Sequence, residues 1–186
     1  MAEITVIELF DRYDAGDRDF RGLDLSGLEF FGSSIGNRKF ITRGADFTGA
    51  NMSQCIFLAG NASFSGGIFR SVDFTGAEFS DTGIRDCDMS FANFTGANFG
   101  ESASEGVNFE GANFTNAVFF QSSIFELVVT GAIFRGAKLE ESGPKDGRLT
   151  RVDFTEAKMF TLDIGRRNII FDRTIMPDGS IRTDSF

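Results

Sequence analysis

Over 186 residues the chain carries 24 Phe and 22 Gly but no His and no Trp, and its formal charge is −9. Without histidine it can build neither a Ser-His-Asp nor a Cys-His mechanism nor a His-ligated metal site, and the acid excess argues against non-specific attraction to nucleic acid or anionic membrane. One domain's worth of chain written in so narrow an alphabet predicts a repeat.

The first segment, Thr5 to Asp14 (TVIELFDRYD), predicts a short helix with Ile7, Phe10 and Tyr13 on one apolar stripe and Gly16 as its stop. Met1 to Tyr13 carries acids and no apolar run of signal-peptide length. No stretch is long enough to span a bilayer, so a cytoplasmic protein is expected.

From Phe20 onward the chain beats in fives. Large apolar residues fall at Phe20, Leu25, Phe30, Ile35 and Phe40, then after a step of seven at Phe47, Met52 and Phe57. A second step of seven leads to Phe64, and the beat continues to Ile169 with two exceptions, Ser104 and Pro144. Around each central residue i, position i−2 is small and often Ala, i−1 is often Asp or Asn, and i+2 is often Gly. Five residues fit neither the helical period nor the strand period; they fit a short extended segment plus a turn. Residues i and i−2 then point inward, i−1 and i+1 face water, and Gly at i+2 supplies the positive φ of a tight turn.

The repeats ADFTG, ANFTG and GANFT resemble the pentapeptide-repeat family. The resemblance implies an all-β fold, a right-handed quadrilateral β-helix whose coils of about 20 residues stack at about 4.8 Å. The thirty pentads make about 7–8 coils. The ends, RYDAGDRDFRGLDLSG and MPDGSIR, look like pentapeptide proteins of photosynthetic bacteria. The expected organisation is a capping helix over 1–17, a β-helix over 18–170, and a C-terminal cap over 171–186. In that cap, TIMPDGSIR reads as two short extended pieces around a Pro-Asp-Gly turn.

Counting pentads in fours from Phe20 assigns faces, if each step of seven is a pentad with a two-residue bulge. A first face then holds Phe20, Phe40, Phe64, Ile84, Ser104, Ile124, Pro144 and Ile164, and a third holds Phe30, Met52, Phe74, Phe94, Phe114, Phe134 and Phe154. Bulges around Arg43-Gly44 and Gly60-Asn61 border the first face, which also collects Ser104 and Pro144 and so is the irregular side. The stretch 142–148, with Pro144 between Gly143 and Gly147, reads as a coil or as a loop that leaves the rod, and if a loop then a solvated one rather than a recognition loop.

Cys55 and Cys87 occupy the small inward position i−2 and are expected to be buried, inert thiols. Asp73, Asp88, Asp153 and Asp163, with Asn51, Asn93, Asn98 and Asn113, recur at i−1. They could pose as a carboxylate pair or a calcium ladder, but at turn spacing they read as local backbone caps. No nucleophile with a base, phosphate loop or cofactor motif occurs, so no catalysis, cofactor or metal is expected.

Two surface features remain. Glu78, Asp81 and Glu101 form a short acidic strip on the fourth face. Phe31, Phe91, Phe120, Phe125 and Phe160 stand at i+1 or i+2, positions that point outward, and Phe120, Phe125 and Phe160 make the candidate partner surface. The expected function is a non-enzymatic rod that binds an unidentified protein partner, with no direct nucleic-acid or membrane binding, as a monomer or end-to-end dimer. The alternative follows from the resemblance: some members protect or inhibit type II topoisomerases such as DNA gyrase by imitating duplex DNA. Here Val118, Phe120 and Gln121 interrupt the acidic face, and Lys138 and Lys158 follow it.

Overall fold

A computed structural model describes residues 4–31, 38–58, 62–125, 128–140, 143–145, 147–159 and 169–184. Its helix, Val6–Asp14, starts at an N-cap built by Thr5, whose hydroxyl accepts from Glu8 N–H while the Glu8 carboxylate accepts from Thr5 N–H at 2.8 Å. It ends at Gly16, φ +97°, where Gly16 N–H donates to Tyr13 C=O and Asp17 N–H to Arg12 C=O. The buried face is Val6, Leu9 and Phe10, and Ile7 is 58% exposed, which corrects the expected stripe. Packing against the first coil sets the rotation: Phe10 meets Phe40 edge-on, Tyr13 stacks over Phe20, and Tyr13 O–H donates to Arg43 C=O.

The rest is a β-solenoid. Adjacent coils pair in parallel through the residues flanking each central side chain: Phe47 N–H donates to Ile68 C=O at 2.8 Å, and Ile68 N–H to Ala45 C=O at 2.9 Å. One column of bridges runs Asp24, Asn51, Asp73, Asn93, Asn113, Ile133, Asp153 and Ile175. Between sides the chain turns within four residues, as where Ala50 N–H donates to Phe47 C=O. The third turn residue has positive φ, as the sequence pattern requires. Glycine often fills it, yet Gln54, Asp81, Phe91, Glu101 and Asn116 also adopt this left-handed conformation. Such a residue lies over the next coil: a Cβ on Gly111 would come within 2.7 Å of the Phe91 ring. Gly111 therefore serves two ends, its own φ of +64° and the space for the ring above it.

Four columns of inward side chains fill the axis. The Met52 column stacks Phe74, Phe94, Phe114, Phe134 and Phe154, with successive ring centroids 5.0, 4.8, 4.6 and 5.2 Å apart. The Phe57 column, with Phe79, Phe99 and Phe119, is equally regular. The Phe64 column belongs to a six-stranded parallel sheet in which Phe64, Ile84, Ser104, Ile124 and Pro144 are register partners in turn. Ser104 keeps the phase and is buried, at 6% exposure. Gly143–Lys145 is a strand of that sheet and Gly147–Thr150 pairs with Ile169–Asp172, so of the two alternatives that the sequence left open, these residues take the coil in register. The glycines stay extended because pairing holds them there, Gly143 to Ser123 and Gly147 to Ile169.

The first coil departs from the expected faces. Phe20 stacks on Phe47 and Phe30 on Phe57, while Asp24 bridges Asn51, placing Leu25 beside Met52. Phe20 to Phe47 is therefore one full coil with seven residues beyond the usual twenty. Thr42 to Phe47 is a regular step closed by Ala45 N–H to Thr42 C=O, so no bulge lies at Arg43-Gly44, and the extra residues fall between Phe30 and Phe40. Gly60-Asn61 and Ile164 lie outside the described residues. Phe40 joins the Phe64 sheet two residues out of phase, pairing with Ala62.

At the far end, parallel pairing reaches Ile175, which bridges Asp153. Thr174–Ile175 then pairs antiparallel with Ile181–Arg182 around the Pro-Asp-Gly turn, and Phe171 N–H donates to Asp184 C=O, so the returning strand covers the last coil.

Candidate interaction surface

The Asp and Asn residues at i−1 act as local caps. Asp73 accepts from both the N–H and the hydroxyl of Thr75, and Asn93 and Asn113 repeat the arrangement with Thr95 and Thr115. Between coils, Asn93 Nδ2 donates to Thr75 Oγ1 at 2.9 Å. Asp163 lies outside the described residues. Burial pushes the carboxyls of Asp88 and Asp153 up, but hydrogen bonds from Ser90 and Arg70 to the first, and from Thr155 and Arg135 to the second, outweigh it and hold both below the usual range. These groups are committed to the coil, and among the described residues no cluster of His, Cys, Asp or Glu could hold a metal ion.

Cys55 and Cys87 are buried and free, and Cys55 Sγ–H donates to Leu25 C=O at 3.0 Å. Burial pushes the Cys55 thiol up to about 12 and Cys87 to about 11. The folded protein at pH 8 is therefore expected not to react with a thiol-specific chromogenic disulfide, and both thiols to react in concentrated guanidinium; rapid native labelling would contradict the burial. Because unfolded thiols ionise near 9 and the folded ones stay protonated, stability falls as pH rises from about 9 towards 11.

The surface residues sort by side. On the outside of the Phe57 column, the i−1 positions run Glu29, Ile56, Glu78, Asn98, Val118, Lys138 and Lys158, each bridging the next. Phe120 shares a strand with Val118, is 43% exposed, and stands in register with Glu140. Asp81 and Glu101 occupy the corner of the same side in consecutive coils, both exposed. Glu78 accepts from the Ser80 hydroxyl and from Asn98 Nδ2 at 2.9 Å, so the acidic strip is one anchored and two solvated carboxylates.

Phe125 is separated from Phe120 by a corner, since its strand belongs to the Phe64 sheet, in register with Glu105 and Lys145. Phe160 lies outside the described residues. Ser104 is inside the sheet and contributes no surface group. Phe91, 62% exposed, stands at the corner after the Phe47 column. Val118, half-buried beside Phe120, and the lysine pair Lys138 and Lys158, which the sequence reading set only against the acidic face, stand in one column on this side. Their signal was the twenty-residue offset from Asn98.

Charge pairing separates this side from its neighbours. Elsewhere opposite charges meet across adjacent coils, as in Arg70–Asp88 at 2.5 Å, Arg135–Asp153 at 2.6 Å and Arg85–Glu105 at 3.5 Å. Here Lys158 pairs directly with Lys138 in the ladder, and Asp81 precedes Glu101 at the corner. Like charges set opposite each other in a ladder are unfavourable.

The family model for pentapeptide repeats matches residues 60–90 and 87–124, in 8 copies, over the stretch where the coils are most regular. That stretch carries pentapeptide repeats. The fold agrees with that of the pentapeptide repeat protein Rfr23 from the cyanobacterium Cyanothece 51142, at a TM-score of 0.54 and 18% identity, covering 66% of this chain and 90% of that one. HetL, a pentapeptide repeat protein involved in heterocyst differentiation regulation from the cyanobacterium Nostoc, is 20% identical over 97% of this chain and 100% of its own, at a TM-score of 0.35. QnrB1, a plasmid-mediated fluoroquinolone resistance protein, is 21% identical over 84% of this chain and 86% of its own, also at 0.35. No curated protein matches the sequence.

Proposed function

We propose that this protein is a non-enzymatic interaction rod that binds protein through the outer side of its Phe57 column. The observation behind this reading is Phe120, exposed beside half-buried Val118 on a face where the like-charged Lys138 and Lys158 are ladder partners. An aromatic on a preformed surface loses little conformational entropy on burial, which makes it an efficient anchor.

The topoisomerase reading fits less well. Duplex DNA presents one negative charge per about 1.7 Å of axis, whereas this side passes from Glu78 through Val118 to Lys158. A mimic needs one sign throughout.

The test compares wild-type protein and Phe120→Ser as immobilised baits against native lysate, with thermal melts to show that both fold. A protein retained by the first and released by the second supports the reading. Equal retention would falsify it, and inhibition or protection of gyrase supercoiling that survives Phe120→Ser would favour the mimic.

A further inference from the structure

The side that carries Phe120 is complementary to itself. Val118 lies midway along a column that has Glu78 two coils before it and Lys158 two coils after it, with Asn98 and Lys138 in between. At about 4.8 Å per coil, each charged end lies about 10 Å from Val118. We propose that two copies of this protein associate side by side and antiparallel through this face, about a two-fold axis that crosses the rods at the Val118–Phe120 strand. This rests on the reading of that side as a protein-binding surface and names its partner.

A two-fold in the plane of the contact inverts the coil order and keeps each column facing itself. Glu78 of one copy then meets Lys158 of the other, Asn98 meets Lys138, and Val118 and Phe120 meet their own counterparts on the axis. The parallel arrangement would set Lys138 on Lys138 and Glu78 on Glu78, so charge selects the antiparallel one. The contact also offsets the stacking of Lys138 on Lys158, which the single chain leaves without a counter-charge in the column. Arg70, Arg85 and Arg135 have such partners within the chain, and their sides gain nothing comparable.

The contact is one aromatic row flanked by solvated ion pairs, so it belongs among weak, salt-sensitive interfaces. Sedimentation velocity from about 10 to 500 µM is expected to show a reversible dimer, with Kd rising at least about 5-fold between 50 and 500 mM NaCl. Phe120→Ser is expected to abolish it. Lys158→Glu, at an exposed position, and Glu78→Lys are each expected to weaken it about 10-fold, because each sets like charges across the two-fold. The double variant, which exchanges both signs, restores association to within about 3-fold of wild type. If Glu78→Lys melts early because Asn98 and Ser80 lose their acceptor, Lys158→Glu by itself still reads the contact. A monomer at 500 µM, a dimer indifferent to Phe120→Ser, or a double variant weaker than both singles overturns the proposal. Should the protein stay monomeric while Phe120→Ser still releases a lysate protein, the binding side stands and only its occupant is wrong.

Discussion

Phe94→Ala is expected to cost about 3–5 kcal/mol of stability and to lower the melting temperature by about 10 °C or more. The Phe94 ring lies 5.0 Å from Phe74, 4.8 Å from Phe114 and 5.4 Å from Phe99, and it is fully buried. Removing it opens a hole midway along the axis, where backbone pairing on all sides resists collapse into it. The damage reaches beyond one coil, because a solenoid is held together by nearest-neighbour interfaces and coils on either side of a weak one lose their coupling. The same truncation at Phe120 removes an exposed ring, and its melt should stay within a few degrees of wild type. Comparable melting losses at the two sites would mean that the axial stacks are not what holds the rod together.

The second large effect is expected at a buried hydroxyl. At the corner after the Phe57 column, Ser102 and Ser122 replace the usual alanine at i−2, and each donates its hydroxyl to a carbonyl in the coil before: Ser102 to Phe79 and Ser122 to Phe99. Thr82 does the same to Phe57 at 3.1 Å, and Thr174 caps Leu149 C=O in like manner. The hydroxyl compensates a stretched turn: Ser102 N–H to Phe99 C=O is 3.4 Å, against 3.0 Å for Ala97 N–H to Phe94 C=O at a regular corner. Ser122→Ala leaves the Phe99 carbonyl with that long bond, inside a wall that water does not reach. The expected loss is about 1–3 kcal/mol, measured by urea titration at unchanged m-value. Ser122→Thr, which keeps the donor, should recover most of it, and equal stability of the alanine and threonine variants would refute the role.

These serines illustrate what could be read early. A serine at a position otherwise held by alanine is visible in the string, but its meaning depends on which coil lies above, and that depends on coil length. Cys55 is a parallel case: its burial follows from its place in the pentad, whereas its bond to Leu25 exists only because the first coil contains seven additional residues. The misassigned faces of Phe20 and Phe30 share that cause. A step of seven in the beat shows that residues have been added, and pairing decides where they leave the coil. Ile7 was misplaced for a similar reason, since the helical period allows neighbouring stripes and contact with Phe40 and Phe20 selects one.

The sequence by itself determined the period, the inward and outward positions and the turn chemistry, because each is local: five residues of chain carry their own hydrogen-bonding and burial instructions. Tertiary structure alone decided which coil rests on which. That is set by register between segments twenty to twenty-seven residues apart, where one added pentad moves a residue to another side of the rod. The candidate surface belongs to this second kind, since Glu78, Val118 and Lys158 become a single ordered column only after the coils have stacked.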